Sequence, residues 1–439
     1  MSGTSARPRG RPGREVVVVA GARLPFSRAG TDYQALVSYD LARMALAGVM
    51  TKAALAPSDV DQVVLGTVVQ NVATSNVARD AALAAGVPDR VPAHTVTVAC
   101  ISANRAIADA ALAIQAGHAD TALAGGVEML GDVPVGFERE VRRRLFESRR
   151  YKGPQDWLAF FRGLKPRQLL PQAPAIAEFT TGESMGQSAD RLAARFGVTR
   201  EEQDAFAFRS HQGAVAARQA GHLADEIVPV SVPPSGAVVS RDNGVREDTS
   251  LERLAKLEPA FVKPFGTVTA GNASPLTDGA AAVVLMAEER AAAEGRRPLA
   301  RITGFTFVAQ DPGDELLLGP AYAAPRLLAR HGLTLADIDV IEIHEAFAGQ
   351  VLAVLRAWGS AAFGREALGL PGAFGEVDLE RVNPWGGSVS LGHPFGATGA
   401  RLVTTAAHRL HVEDGRFALV TACAAGGQGH AMLLERVGA

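Results

Sequence analysis

Glu15-Val16-Val17-Val18-Val19-Ala20-Gly21 is an unbroken apolar run between a charge and a turn former, the texture of a parallel strand buried on both faces. Runs of the same kind predict further strands at 61–69, 95–99, 121–125, 280–286, 338–343 and 417–422. Ala-rich stretches with helical character at 41–55, 103–116 and 399–410 alternate with them, which is the pattern of an α/β fold whose sheet lies between helices. The pattern also repeats. Residues 56–64 (APSDVDQVV) match 335–341 (LADIDVI), and the order continues downstream: Cys100 opens a helix that leads to 120–126, and His393 precedes a helix that leads to 417–420 and Ala425-Gly426-Gly427. Two packed copies of one unit would bring equivalent turns to their shared interface.

Between the copies, from about 131 to 260, buried strands thin out and charge and proline rise. One helix there has a clear start in the capping box of Thr199 and Glu202 and a stop at Gly221. The region reads as an inserted subdomain. The division expected is 15–130 with 262–297 as one half, 131–261 as the insertion and 298–439 as the other half.

A chain of 439 residues has room for two or three domains. Its formal net charge of −2 supplies no global field toward nucleic acid. Every Ala/Val/Leu run is broken before the roughly 18 apolar residues that a membrane span needs, so a soluble protein is expected. The first fourteen residues, with four arginines and no apolar run, read as a flexible tail rather than a targeting signal. Cysteines stand only at positions 100 and 423, too few for a disulfide framework, and a reducing cytoplasm is the simpler expectation.

Both cysteines fall where chemistry is plausible. Cys100 follows the strand-like 95–99 and precedes small residues, so its thiol should sit at a helix N-terminus that favours the thiolate. Cys423 ends an apolar strand and enters a loop of Ala424-Ala425-Gly426-Gly427-Gln428-Gly429 that admits close backbone approach. His393 lies in 383–399 (NPWGGSVSLGHPFGATG), whose five glycines need a geometric reason, and its imidazole can take a thiol proton. His344 stands at the end of the strand 338–343. The bland alternatives are buried structural cysteines and satisfied core histidines. Neither G-x-G-x-x-G nor G-x-x-x-x-G-K-[ST] is matched, and the two Cys and two His lack the paired spacing of a zinc site, so no metal is expected.

Four separated blocks in this order resemble the thiolase family along nearly the whole chain: Cys100; Gly125-Gly126-Val127-Glu128-Met129; Gly271-Asn272-Ala273-Ser274 to Asp278-Gly279-Ala280; and Gly392-His393-Pro394 with Cys423. The resemblance implies a duplicated α/β/α/β/α layered fold with an inserted loop subdomain. It implies that His393 activates Cys100, that Cys100 carries a covalent acyl group cut from a 3-oxoacyl thioester, and that Cys423 moves the other proton. It further implies an oxyanion site for the enolate made by His344, which stands where the family has the Asn of an Asn-Glu-Ala-Phe block, together with His393, and a second one at the amides of Cys100 and Ala425, the latter a position where many members have Gly. Ser274, Met185 and Phe347 match positions near coenzyme A, which is a substrate and not a resident cofactor. His344-Glu345-Ala346-Phe347, the Ser184 block and Cys423 to His430 are similar to the β-subunit of the trifunctional fatty-acid oxidation complex.

The resemblance also implies a homodimer or larger assembly acting on acyl-CoA and CoA in β-oxidation. The alternatives are a biosynthetic acetoacetyl-CoA thiolase, a condensing or decarboxylating synthase, and a non-catalytic lipid-binding scaffold. The segment 138–167 carries ten Arg or Lys against four acids among Phe146, Tyr151, Trp157, Phe160 and Phe161. It is expected to meet either a membrane surface or a hydratase/dehydrogenase α-subunit, the alternative being a solvated helical face over the CoA site.

Overall fold

The computed structural model describes residues 13–172, 174 and 177–438. The expected N-terminal tail lies outside them but for its last two residues, and one of these is anchored: Arg14 pairs with Asp120 at 2.7 Å and Glu289 at 2.5 Å. The main sheet runs through nine strands: β1 (Val16–Arg23), β2 (Gln62–Gly66), β3 (Ala93–Val96), β4 (Thr121–Glu128), β5 (Thr277–Ala287), β6 (Ala300–Ala309), β7 (Val340–Ile343), β8 (Phe417–Ala424) and β9 (Gln428–Glu435). Their order is β7-β8-β9-β6-β1-β5-β4-β2-β3.

The duplication is visible in the pairing. In the first half β5 is antiparallel to β1 and β4, β2 is parallel to β4, and β3 is parallel to β2. In the second half β9 is antiparallel to β6 and β8, and β7 is parallel to β8. A single parallel bridge between Ile341 and Val382 stands where β3 stands in the first half. The halves join where Val17 and Val18 of β1 face Arg301 and Ala300 of β6.

Six helices make the layers: α1 (Ser38–Lys52), α2 (Val77–Ala84), α3 (Ser102–Gln115), α4 (Gly319–His331), α5 (Ala348–Gly359) and α6 (Thr398–Val412). Side chains alternate across a strand, so a sheet packed on both faces must be apolar at every position. On β5, Ala281, Val283 and Leu285 point into a core shared with α3 and α6, while Ala280, Ala282, Val284 and Met286 point into a core shared with α1 and α2. The third core packs α4 and α5 on the far face of the second half. The architecture is thus the expected α/β/α/β/α stack, with α3 and α6 as its middle layer.

Two expectations need correction. β1 was expected in a parallel sheet and is antiparallel to both neighbours; its continuous apolar reading comes from helices on both faces, not from strand direction. β6 and β9 were not expected from the sequence at all. Within the insertion, the helix Arg200–Gln219 has its Thr199/Glu202 capping box, and Ala189, Leu192, Ala193 and Phe206 join the core of the second half.

Candidate active site

Cys100 lies in the turn between β3 and α3. Ala99 before it is held at φ +44°, a conformation that L residues seldom adopt. Ser102 holds this turn: its hydroxyl accepts from the Val98 amide at 2.8 Å and donates to the Ala99 carbonyl at 2.7 Å.

The His393 loop explains its own glycines. A Cβ on Gly387 would fall 2.1 Å from the Glu345 carboxyl carbon, and Gly392 sits at φ +109°. Glu345 fastens the loop: one carboxylate oxygen accepts from Asn383 at 2.7 Å, the other from the Val389 amide at 3.1 Å and Ser210 at 2.9 Å. From the opposite side the Glu128 carboxylate accepts from the amides of Gly396, Val68 and Val69 at 2.8, 3.1 and 2.8 Å. The two halves therefore grip one loop.

These constraints converge. Cys100, His344 and His393 each bring one sulfur or ring nitrogen within 4.8 Å of the others. The imidazole rings of His344 and His393 lie 4.0 Å apart between centroids. His393 Nδ1 meets Thr398 Oγ1 at 2.6 Å and His344 Nδ1 meets Ser388 Oγ at 2.9 Å, which leaves both Nε2 atoms buried without a protein partner. Among the described residues this is the one Cys/His/carboxylate cluster compact enough for a metal ion. Hydroxyls behind both rings, in place of the carboxylates or carbonyls that usually back metal-bound imidazoles, favour proton chemistry.

Electrostatics set the resting charges. Burial pushes the Cys100 thiol up to about 12, opposed by hydrogen bonding from the Ala425 amide and reinforced by the Glu128 carboxylate. Burial lowers His393 to about 3, and it lowers His344 well below the usual range with His393 and Arg401 adding to the shift. The expected helix-stabilised thiolate is therefore replaced by a neutral thiol beside a neutral imidazole, because removal from water outweighs the helix N-terminus. Cys423 is buried on β8 opposite Gly429, and burial followed by the proximity of Cys100 raises its thiol too.

The residues expected near CoA fall along one wall. The Ser274 amide donates to the Ala346 carbonyl at 3.0 Å, Ala273 bridges to Phe347, and Phe347 stacks edge-on against Phe261 at 6.0 Å. A Cβ on Gly186, next to Met185, would lie 2.2 Å from the Phe261 ring. Ala425 stands apart from this wall, with its amide on Cys100. Sequence reasoning missed Phe261, and it missed Ser388, Thr398, Arg401 and Glu342 behind the histidines. A usable signal existed for two of them: Glu342 is the one charge in the strand Val340–Ile343, and Arg401 shares an otherwise uncharged face of an Ala-rich helix with Arg409.

Residues 16–289 match the family model described as thiolase, N-terminal domain, and 296–436 that described as thiolase, C-terminal domain. The chain is 51% identical over 422 residues to the mitochondrial trifunctional enzyme subunit beta of Rattus norvegicus, covering 96% of this chain and 88% of that protein. It is 49% identical over 424 residues to a probable 3-ketoacyl-CoA thiolase of Caenorhabditis elegans, covering 96% and 94%. Its fold superposes on the crystal structure of the Bacillus anthracis acetyl-CoA acetyltransferase with a TM-score of 0.84 at 34% identity, covering 97% of this chain and 99% of that one.

Proposed function

Because the chain belongs to the thiolase family, we propose that it is a 3-oxoacyl-CoA thiolase of β-oxidation, cleaving 3-oxoacyl-CoA with CoA to acetyl-CoA and a shortened acyl-CoA. The observation that carries this reading is the approach of Cys100, His344 and His393 to within 4.8 Å. The Cys100 sulfur attacks the 3-oxo carbonyl as its proton passes to His393 Nε2, an unprotonated base. The bond between C2 and C3 then breaks. Its electron pair forms the acetyl-CoA enolate, which Cys423 protonates, and the acyl group stays on Cys100 as a thioester. The incoming CoA thiol gives its proton to Cys423, attacks that thioester, and expels Cys100, which recovers its proton from His393.

Each anion needs its own donors. The acyl oxyanion faces the amides of Cys100 and Ala425, and the enolate oxygen faces His344. CoA is substrate, held along Ser274, Met185 and Phe347, and no resident cofactor or metal takes part. Acyl-CoA should label Cys100 covalently, and Cys100→Ala should abolish labelling and turnover. Sustained turnover by that variant overturns the reading.

A biosynthetic acetoacetyl-CoA thiolase is the second reading, favoured by the likeness to the acetyl-CoA acetyltransferase. Thiolysis rates across acyl-chain lengths separate the two. We assign the chain a homodimeric or larger state, a reducing cytoplasmic setting and a hydratase/dehydrogenase α-subunit as partner, the last from its likeness to a trifunctional enzyme subunit beta. No helix among the described residues is long and apolar enough to cross a membrane. The segment 138–167 is the surface we assign to the partner or to a membrane. Its helices Arg139–Glu147 and Pro154–Phe161 expose Phe146, Trp157, Leu158 and Phe161 instead of a purely polar face. Co-purification and vesicle co-sedimentation, both negative for the intact protein, would remove this role.

A further inference from the structure

Two neutral imidazoles side by side pose a problem that their positions alone do not solve. His344 and His393 present unpartnered Nε2 atoms to one site, and an imidazole Nε2 is a lone pair or an N–H according to tautomer. A lone pair on His344 Nε2 would repel a developing enolate. Burial holds both rings well below their usual basicity, so His393 gains a hydrogen on Nε2 only from the Cys100 thiol and protonation supplies none to His344.

The hydroxyl behind each ring distinguishes them. Thr398 Oγ1 donates its hydrogen to the Pro394 carbonyl at 3.1 Å, so toward His393 Nδ1 at 2.6 Å it is an acceptor. His393 then carries hydrogen on Nδ1 and a lone pair on Nε2, as a base requires. Ser388 Oγ is arranged the other way. It receives a hydrogen from Arg401 Nη2 at 3.2 Å, and His344 Nδ1 at 2.9 Å is the acceptor its own hydrogen has within the protein. Arg401 is locked by Glu342, whose second oxygen takes Arg409 at 2.8 Å, and Ser388, Arg401, Glu342 and Arg409 are all fully buried.

We propose that Ser388, oriented by Arg401 and Glu342, is a positioning residue that fixes the hydrogen of His344 on Nε2. The adjacent imidazoles thereby take opposite parts, His344 donating to the enolate oxygen while His393 accepts the thiol proton. This deepens the thiolase reading and rests on it. The arrangement needs no charge on His344, and it makes the buried Glu342–Arg401 pair a device for orientation.

The direct test is a long-range 1H–15N correlation spectrum of the full-length enzyme labelled with 15N-histidine, assigned with His344→Asn and His393→Asn. Expected are hydrogen on Nε2 of His344 and on Nδ1 of His393; hydrogen on Nδ1 of His344 overturns the proposal. Kinetically, Ser388→Ala should slow thiolysis and exchange of the acetyl-CoA α-proton by about 10- to 100-fold. Acylation of Cys100 by acyl-CoA, which forms no enolate, should be unchanged, since that oxyanion faces backbone amides. In a His344→Asn background, whose carboxamide has a fixed N–H donor, Ser388→Ala should add little further loss. Equal losses in both backgrounds mean a merely structural serine and overturn the proposal. Wild-type enzyme that fails to acylate Cys100 sinks the thiolase reading instead, and if Ser388→Ala does not fold, the wild-type spectrum decides alone.

Discussion

Glu128 Oε2 accepts the amide hydrogen of Gly396 at 2.8 Å, although 268 residues separate them. That bond ties the end of β4 to the loop carrying His393, and it joins the Val68 and Val69 amides on a carboxylate that burial has raised to about 7. Glu128→Gln keeps the shape but turns one acceptor into a donor facing amides. It should cost about 1–3 kcal/mol of stability in urea unfolding. Because the Glu128 charge raises the Cys100 thiol, the pH profile of Cys100 alkylation should also shift to lower pH. A shift to higher pH would contradict this electrostatic account.

The acid limb of activity should lack the usual histidine step. His393 lies at about 3 in the folded enzyme, so kcat/KM should show no histidine step at the ordinary histidine value of 6.5. A fall centred there while fluorescence reports an intact fold would contradict the neutral pair. Stability follows a separate sign. A histidine lowered on folding leaves the unfolded chain binding more protons, so its stabilisation is lost as pH falls from 6.5 toward the folded value. His393 and His430 at about 3 and His211 at about 4 all act this way. The raised carboxyls of Glu128 and Glu342, at about 7, act oppositely between 7 and the ordinary glutamate value of 4.5. Below 4.5 that opposition is exhausted and the histidine contribution continues, so acid unfolding should steepen there.

Thr398→Val removes the acceptor behind His393 while keeping the volume of the side chain. Acylation of Cys100 by acyl-CoA and thiolysis of 3-oxoacyl-CoA should both slow, by about 10- to 100-fold. Stopped-flow acylation by acyl-CoA reads thiol activation without an enolate and thiolysis reads it together with carbon-carbon cleavage; loss confined to thiolysis would move Thr398 to the role assigned to Ser388.

Gly126→Ala tests the packing between halves. Its Cβ would stand 1.9 Å from the Gly396 carbonyl oxygen and 2.7 Å from that of Gly66, both backbone atoms that have little room to yield. A loss of about 3 kcal/mol or more is expected, seen as a lower melting temperature or insoluble expression. A variant with wild-type stability would show that the His393 loop can retreat.

Most of the strands that the sequence disclosed are buried on both faces, the partly exposed Ala93–Val96 being the exception. Val16–Arg23 and Thr277–Ala287 are apolar at nearly every position, so no choice of face blurs the pattern. Ala300–Ala309 and Gln428–Glu435 escaped notice for different reasons. The first is partly exposed along its length, and the second begins with Gln428, Gly429 and His430 directly after a glycine turn. Cys100, His344 and Cys423 were legible because each ends an apolar run, where a reactive or polar side chain breaks the local rule, and His393 because five glycines surround it within seventeen residues.

The chain alone determined the alternation of strands and helices, its near-repetition, and the residue types able to do the chemistry, because these depend on local periodicity and on the identity of each side chain. Folding decided the rest. The antiparallel direction of β1, the neutral charges of Cys100 and His393, and the opposite hydroxyl partners of two adjacent imidazoles depend on burial and on hydrogen-bond geometry. Those are properties of atoms far apart in sequence, as Ser388 with Arg401 and Glu128 with Gly396 are, and no window of residues contains them.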